Sequence, residues 1–192
     1  MATVKTDELD QWHEYGVYTP GRLISLLGDI DEDMAREFIK NIRLLDFVND
    51  KDIHVLLATE GGDVHWGMQI FDAIKECNSK VTIHAVGPCW SMGAIILQAA
   101  DHRRISSSAT VMIHIGTAEY PKDHVLNINQ WVAEHKRVDT EGNDILYKKM
   151  KEKNPKFTKV QLNKLLVFDT IYTADKAVEM GLANEVAEHK EF

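Results

Sequence analysis

The sequence predicts an α/β fold in which parallel strands are covered on both faces. Three observations predict it. Short β-rich runs alternate with longer stretches of helical periodicity. Several of those runs are continuously apolar, the pattern of strands buried on both sides. Three of them also lead into chemically loaded loops: Glu60-Gly61-Gly62, Gly87-Pro88-Cys89-Trp90-Ser91-Met92-Gly93 and His114-Ile115-Gly116. In this fold class reactive groups gather where the chain leaves the carboxyl ends of strands.

Each element has its own local justification. Leu23–Leu27 follows Pro20-Gly21 and reads as a buried strand ended by Gly28-Asp29. Asp31 or Asp33 can then cap a helix whose Met34, Phe38, Ile42 and Leu45 recur at helical spacing. Ile53–Ala58 is the next strand, and the helix after it carries Val64, Met68, Phe71 and Ile74 on one face. Val81–Val86 is strand-like, and Gly87-Pro88 is expected to turn the chain. Ala94–Ala100 reads as a buried helix of small and aliphatic residues, and Thr110–Ile115 as a β-branched strand.

From Asn127 to Lys153 the pattern is helical, with Ile128, Trp131, His135, Val138, Ile145, Tyr147 and Met150, and is weakened around Gly142. Thr158-x-x-Gln161 is a capping-box pattern. Thr173 can cap a last helix, Ala174–Met180, with Gly181 as its stop. No repeat or linker divides the chain, so one domain spanning 1–192 is expected, with frayed ends at 1–16 and 188–192.

Composition limits what such a fold can do. The chain has 192 residues, with 30 acidic against 22 basic side chains and a formal net charge of −8. That acidity excludes a general nucleic-acid binder, which needs a basic surface to neutralise phosphates. The apolar runs fall far short of the ~20 residues that cross a bilayer, so no membrane partner is expected. The start, MATVKTDELDQW, has no apolar stretch behind a basic flank and predicts no secretory signal. Two cysteines, Cys77 and Cys89, make no disulfide framework and point to a reducing, cytoplasmic compartment. The nine histidines contain no H-x-x-x-H pair, and neither a zinc-type cysteine pair nor a phosphate-cradling glycine loop is present. No metal or cofactor is expected.

The chemistry centres on Ser91. It stands between a strand-ending Gly-Pro and a helix of small residues, where unpaired backbone N–H groups favour a developing anion. It can equally be a plain helix N-cap. Cys89 occupies the first glycine position of G-x-S-x-G, so that motif is absent. Gly61-Gly62 allows either a tight turn or an outward-facing N–H that joins the Met92 N–H as a second oxyanion donor. His114, at the end of an apolar β run, is a candidate base, with His54, His65 and His84 as rivals. Asp169 is a candidate to orient that base. Periodicity does not choose among the histidines.

Taken in order, several stretches resemble the proteolytic subunit of the caseinolytic protease, the ClpP family. They are Arg22-Leu23-Ile24 to Gly28-Asp29-Ile30, then Gly61-Gly62-Asp63-Val64-x-x-Gly67-Met68-x-Ile70-Phe71-Asp72. Ser91-Met92-Gly93-Ala94, Met112-Ile113-His114 and Asp169-x-x-Tyr172-Thr173-Ala174 through Gly181-Leu182 follow. The resemblance implies a ClpP/crotonase-like spiral of stacked ββα units with a projecting helical handle over about 116–153. It makes Ser91 the nucleophile, His114 the base and Asp169 the orienting carboxylate of a Ser-His-Asp triad, with Gly62 and Met92 N–H groups as the oxyanion hole.

It further implies a cytoplasmic serine endopeptidase for unfolded polypeptides, enclosed in a homo-oligomer, either a heptameric ring or a double ring (tetradecamer). ATP would be used only by a partner AAA+ unfoldase. A crotonase-like acyl-CoA enzyme and a non-catalytic or assembly-type ring subunit are the alternatives. The chain resembles a divergent member, phage-encoded or paralogous. Glu60 stands where the family usually has proline, and His54 and Leu56 where tyrosines are usual. Val167-Phe168 replaces the usual Glu-Arg pair before the aspartate, and IGTAEYPKDH replaces a glycine-rich strand after His114.

Overall fold

The computed structural model describes residues 6–117 and 124–187, with side chains from residue 10 onward. Helix α1 (Thr6–Tyr15) and strand β1 (Val17–Tyr18) lead through a 3-10 turn, Thr19–Gly21, into β2 (Leu23–Leu27) and α2 (Glu32–Val48). Then come β3 (Ile53–Thr59), α3 (Val64–Lys75), β4 (Val81–Trp90), α4 (Met92–Leu97), β5 (His102–Ser106) and β6 (Thr110–Ile113). The chain ends with α5 (Val125–Lys153), α6 (Lys159–Leu166), β7 (Thr170–Thr173), α7 (Ala174–Glu179) and β8 (Glu185–Ala187).

The strands form one mixed, mainly parallel sheet in the order β1-β2-β3-β4-β5-β8. Strand β6 adds in parallel to the far end of β4, and β7 adds antiparallel to β6. The core lies where β2–β5 meet α2, α3 and α4. Ile24, Leu26, Leu57, Ile83 and Ala85 from the sheet face Phe38 and Ile42 of α2, Ile70 of α3 and Ile96 of α4, all almost fully buried. Arg22 clips this side together from within. Its guanidinium donates to the carbonyls of Leu45, Asn49, Lys51 and Asp52 and to the Ser79 hydroxyl.

Caps follow local chemistry. Asp31 is the α2 N-cap, its carboxylate accepting the Met34 N–H at 2.9 Å, and Asp63 caps α3 by accepting from His65 and Trp66. The Thr158–Gln161 capping box opens α6.

Several expectations are corrected. Gly87-Pro88 does not turn the chain. Strand β4 runs on to Trp90 through an irregularity in which the register shifts between Leu57/Ala85 and Thr59/Cys89. A bulge tolerates proline because no ladder bond is required of it there. Residues 6–15, expected to be frayed, form α1, while 1–5 and 188–192 lie outside the described residues. The buried residues of α3 are Gly67, Ile70, Ala73 and Ile74, with Val64, Met68 and Phe71 only half-buried. The 94–100 helix ends at Leu97, and the 110–115 strand ends at Ile113. Thr173 stands at the α7 N-cap but makes no side-chain cap bond. Strands β1, β5, β7 and β8 are too short or too polar to stand out by periodicity.

Helix α5 is continuous across Gly142 and about 43 Å long at ~1.5 Å per residue. Its buried residues are Val138, Gly142, Leu146 and Met150, not the Ile128–Trp131 end, and Trp131 is exposed. The N-terminal half therefore projects from the body. The segment 118–123, within the expected handle region, lies outside the described residues.

Candidate active site

Strand register brings the distant residues together. Strands β3, β4 and β6 run parallel, so the ends of all three emerge on one edge. Trp90 pairs with Met112, and the Ser91 N–H donates to the Met112 carbonyl at 2.9 Å. Ser91 thus leaves β4 beside the end of β6, where His114 follows Ile113. Strand β7 runs antiparallel to β6 with Ile113 opposite Thr170, so the next rung sets His114 opposite Asp169. The side chains complete the arrangement. His114 Nε2 lies 2.9 Å from Ser91 Oγ, and His114 Nδ1 lies 3.0 Å from Asp169 Oδ1. With the carboxylate accepting from Nδ1–H, Nε2 is left free to accept the serine proton.

The Ser91 turn is tight. Its φ is 52° and ψ −117°, a left-handed-side conformation that a non-glycine residue adopts only when its surroundings enforce it, at about 1–3 kcal/mol. They do so here: Cys89, Met92, Gly93 and Ala94 around it are buried. Ser91 stands at the N-cap position of α4 but makes no side-chain cap bond there; its hydroxyl meets His114 Nε2 instead. Strand, sharp turn and helix recreate the elbow geometry without the G-x-S-x-G spelling. Cys89 is no rival nucleophile. It is wholly buried, burial raises its thiol pKa far above the ordinary value, and its Sγ–H donates to the Gly93 carbonyl.

The Gly61-Gly62 turn closes over the serine. Both residues have positive φ, 113° and 143°, which only glycine adopts readily. A Cβ at Gly61 would stand 2.8 Å from Ser91 Cβ and 3.3 Å from the Met92 nitrogen, so the two backbones touch. A Cβ at Gly62 would collide with the Ile30 backbone. Gly62 bridges Ile30 through its neighbours: Ile30 N–H donates to Gly61 O at 2.8 Å and Asp63 N–H to Ile30 O at 2.7 Å. That pattern leaves the Gly62 N–H out of the ladder. Met92, first residue of α4, has an N–H with no intrahelical acceptor. Thr59, buried, braces the turn by accepting the Gly61 N–H at 3.0 Å.

A narrow cavity of about 40 Å³ opens beside Ser91 and His114. Met68, Met92, Ile95 and Ile113 line one side, and Val138, Asp139, Asn143 and Leu146 of α5 line the other. Helix α5 comes this close because position 142 is glycine, where a Cβ would stand 2.7 Å from Ile95 Cδ1. Burial raises the Asp139 carboxyl above its ordinary pKa, opposed by the nearby His135 and His114.

The rival histidines lie elsewhere. His54 is exposed on β3, His84 faces Ser106 Oγ at 2.9 Å on the sheet, and His65 meets the His135 ring edge-on at 5.9 Å. Sequence reasoning missed the α5 wall and Thr59. The signal for the wall is the spacing of residues 138, 142 and 146, which a hydropathy pattern hides because one contact point is glycine and a cavity-lining neighbour is aspartate. Among the described residues no group of three or more His, Cys, Asp or Glu side chains is arranged to hold a metal ion, and no helix is long and apolar enough to cross a membrane.

Comparison with known proteins agrees with this architecture. Residues 8–190 match the sequence model of the Clp protease family. A solved structure of a mutant ClpP1 from Listeria monocytogenes superposes with a TM-score of 0.77 over 90% of this chain and 94% of that one, at 23% sequence identity. At that identity the superposition speaks for the fold, and the family match over nearly the whole chain speaks for descent. The chain belongs to the Clp protease family.

Proposed function

We propose that the protein is a serine endopeptidase that cuts unfolded polypeptides by acyl-enzyme chemistry. One observation carries this: the hydrogen-bonded chain from Ser91 through His114 to Asp169, with 2.9 and 3.0 Å links, on a turn whose backbone is strained. His114 Nε2 takes the proton of Ser91 Oγ as that oxygen attacks the scissile carbonyl. The Gly62 and Met92 N–H groups donate to the oxyanion, and Asp169 holds the imidazole in its tautomer and steadies the imidazolium. The imidazolium then protonates the leaving amine. Water, deprotonated by the same nitrogen, releases the acyl group and restores Ser91. No step calls for a cofactor or metal.

Clp protease family membership supports a ring-shaped homo-oligomer, heptameric or doubled, that encloses the site. It also supports a cytoplasmic setting in which a AAA+ unfoldase consumes the ATP and feeds chains in. Enclosure suits a peptidase acting on unfolded chains because access decides which proteins reach the nucleophile. The test is hydrolysis of a small fluorogenic peptide by wild type, Ser91→Ala and His114→Ala, with mass measured in solution. Both substitutions should abolish turnover without dissociating the assembly. Turnover that persists in either removes the mechanism.

A further inference from the structure

The cavity beside Ser91 has apolar walls and one carboxylate. Met68, Ile95, Val138 and Leu146 line it with hydrocarbon, and Asp139 lines it from α5 one turn from Gly142, the point of closest approach to α4. Asp139 is half-buried, and among the described residues no lysine or arginine pairs with it. Its Oδ1 sits 3.4 Å from where a Cβ on Gly116 would be, two residues beyond His114, so the carboxylate reaches the edge of the reaction centre. It has no part in the proton transfers above, since Asp169 already holds His114 Nδ1.

We propose that Asp139 makes this cavity a selective pocket for lysine or arginine on the acyl side of the scissile bond. The inference rests on the peptidase reading. A basic side chain fits both parts of the cavity: its methylenes lie against hydrocarbon while its cationic head reaches the carboxylate. Norleucine has the same stem but leaves Asp139 desolvated and unpaired, and glutamate sets a second negative charge beside it. Burial holds the Asp139 carboxyl above its ordinary pKa, although His135 and His114 nearby favour its charged form.

The test is a peptidyl-coumarin series that differs only in the acyl-side residue (lysine, arginine, norleucine, glutamate), with diphenyl phosphonate probes carrying lysine or norleucine mapped onto Ser91. Wild type should favour lysine over norleucine in kcat/KM by about tenfold or more, the size expected for a charge-assisted contact. Asp139→Asn should shrink that ratio to near unity, and Asp139→Lys should invert it toward glutamate. A wild-type ratio at or below unity overturns the proposal. So does an Asp139→Asn variant that loses lysine and norleucine cleavage in equal proportion, for then the carboxylate acts on His114 and not on the substrate. Equal labelling of Ser91 by both probes defeats the pocket proposal and leaves the peptidase intact. Failure of every probe and every peptide defeats both.

Discussion

The two ends of the Ser91–His114–Asp169 chain are built differently. The serine end is held from behind: Cys89, Met92 and Gly93 are buried, the Gly61 backbone presses on Ser91, and the Ser91 N–H is tied to Met112, with only the cavity side open. The aspartate end is open. The Asp169 side chain is 70% exposed, and Val167 and Phe168 before it are exposed too. What fixes Asp169 is the short β6–β7 ladder that ends at Ile113–Thr170, the Ile115 N–H bond to the Leu166 carbonyl and a Thr170 hydroxyl bond to the Leu165 carbonyl. The attacking atom is thus over-determined by packing, whereas the orienting carboxylate depends on a short antiparallel strand at the surface.

The sharpest test of this contrast is the size of each loss. Removing the serine or the imidazole should lower kcat by about 10⁴-fold or more, with the thermal midpoint little changed, because neither side chain supports the core. Asp169→Asn should cost roughly one to two orders of magnitude less, since water around an exposed carboxylate takes over part of its role. Equal losses at both ends would mean that catalysis depends on the open end no less than on the buried one. Gly62→Ala comes next. Loss of a backbone donor predicts about 10²–10³-fold in kcat, and the clash with Ile30 adds a stability loss that urea unfolding would register.

Stability should separate the regions as well. Leu97→Ala, at a wholly buried position of α4, should cost about 2–5 kcal/mol, and Phe168→Ser beside Asp169 should stay within about 0.5 kcal/mol. The smallest effect is one of pH. Burial, aided by Arg104, lowers the His84 pKa below its ordinary 6.5. A histidine whose folded pKa is depressed adds stability above about pH 6.5, and that contribution is lost as pH falls toward the folded value. Unfolding midpoints at pH 7.5 and 5.5 should therefore fall further in wild type than in His84→Gln.

The same contrast explains how much of the molecule is legible in its sequence. Long apolar strands such as Ile53–Thr59 and the amphipathic α2 stand out because burial imposes a period on them. Ser91, Gly62 and Met92 are legible because loops leaving parallel strands concentrate chemistry. His114 is not separable from His54, His65 or His84 by pattern, since register, not composition, decides which histidine faces the serine, and the family resemblance makes that choice. Strand β7, four residues of which only Tyr172 is buried, carries too little apolar signal to be seen. The continuation of β4 past Gly87-Pro88 is hidden because a bulge reads locally as a turn. The α5 wall escapes because Gly142 contacts Ile95 by lacking a side chain.

The central claim is that His114 activates Ser91. A fluorophosphonate probe, with the modified residue identified by peptide mass spectrometry and the rate followed in wild type and His114→Ala, tests it most directly. Ser91 should be the residue modified, and its rate should fall by about 10³-fold or more without the imidazole. Modification elsewhere, or an equal rate at Ser91 in both proteins, would contradict the account.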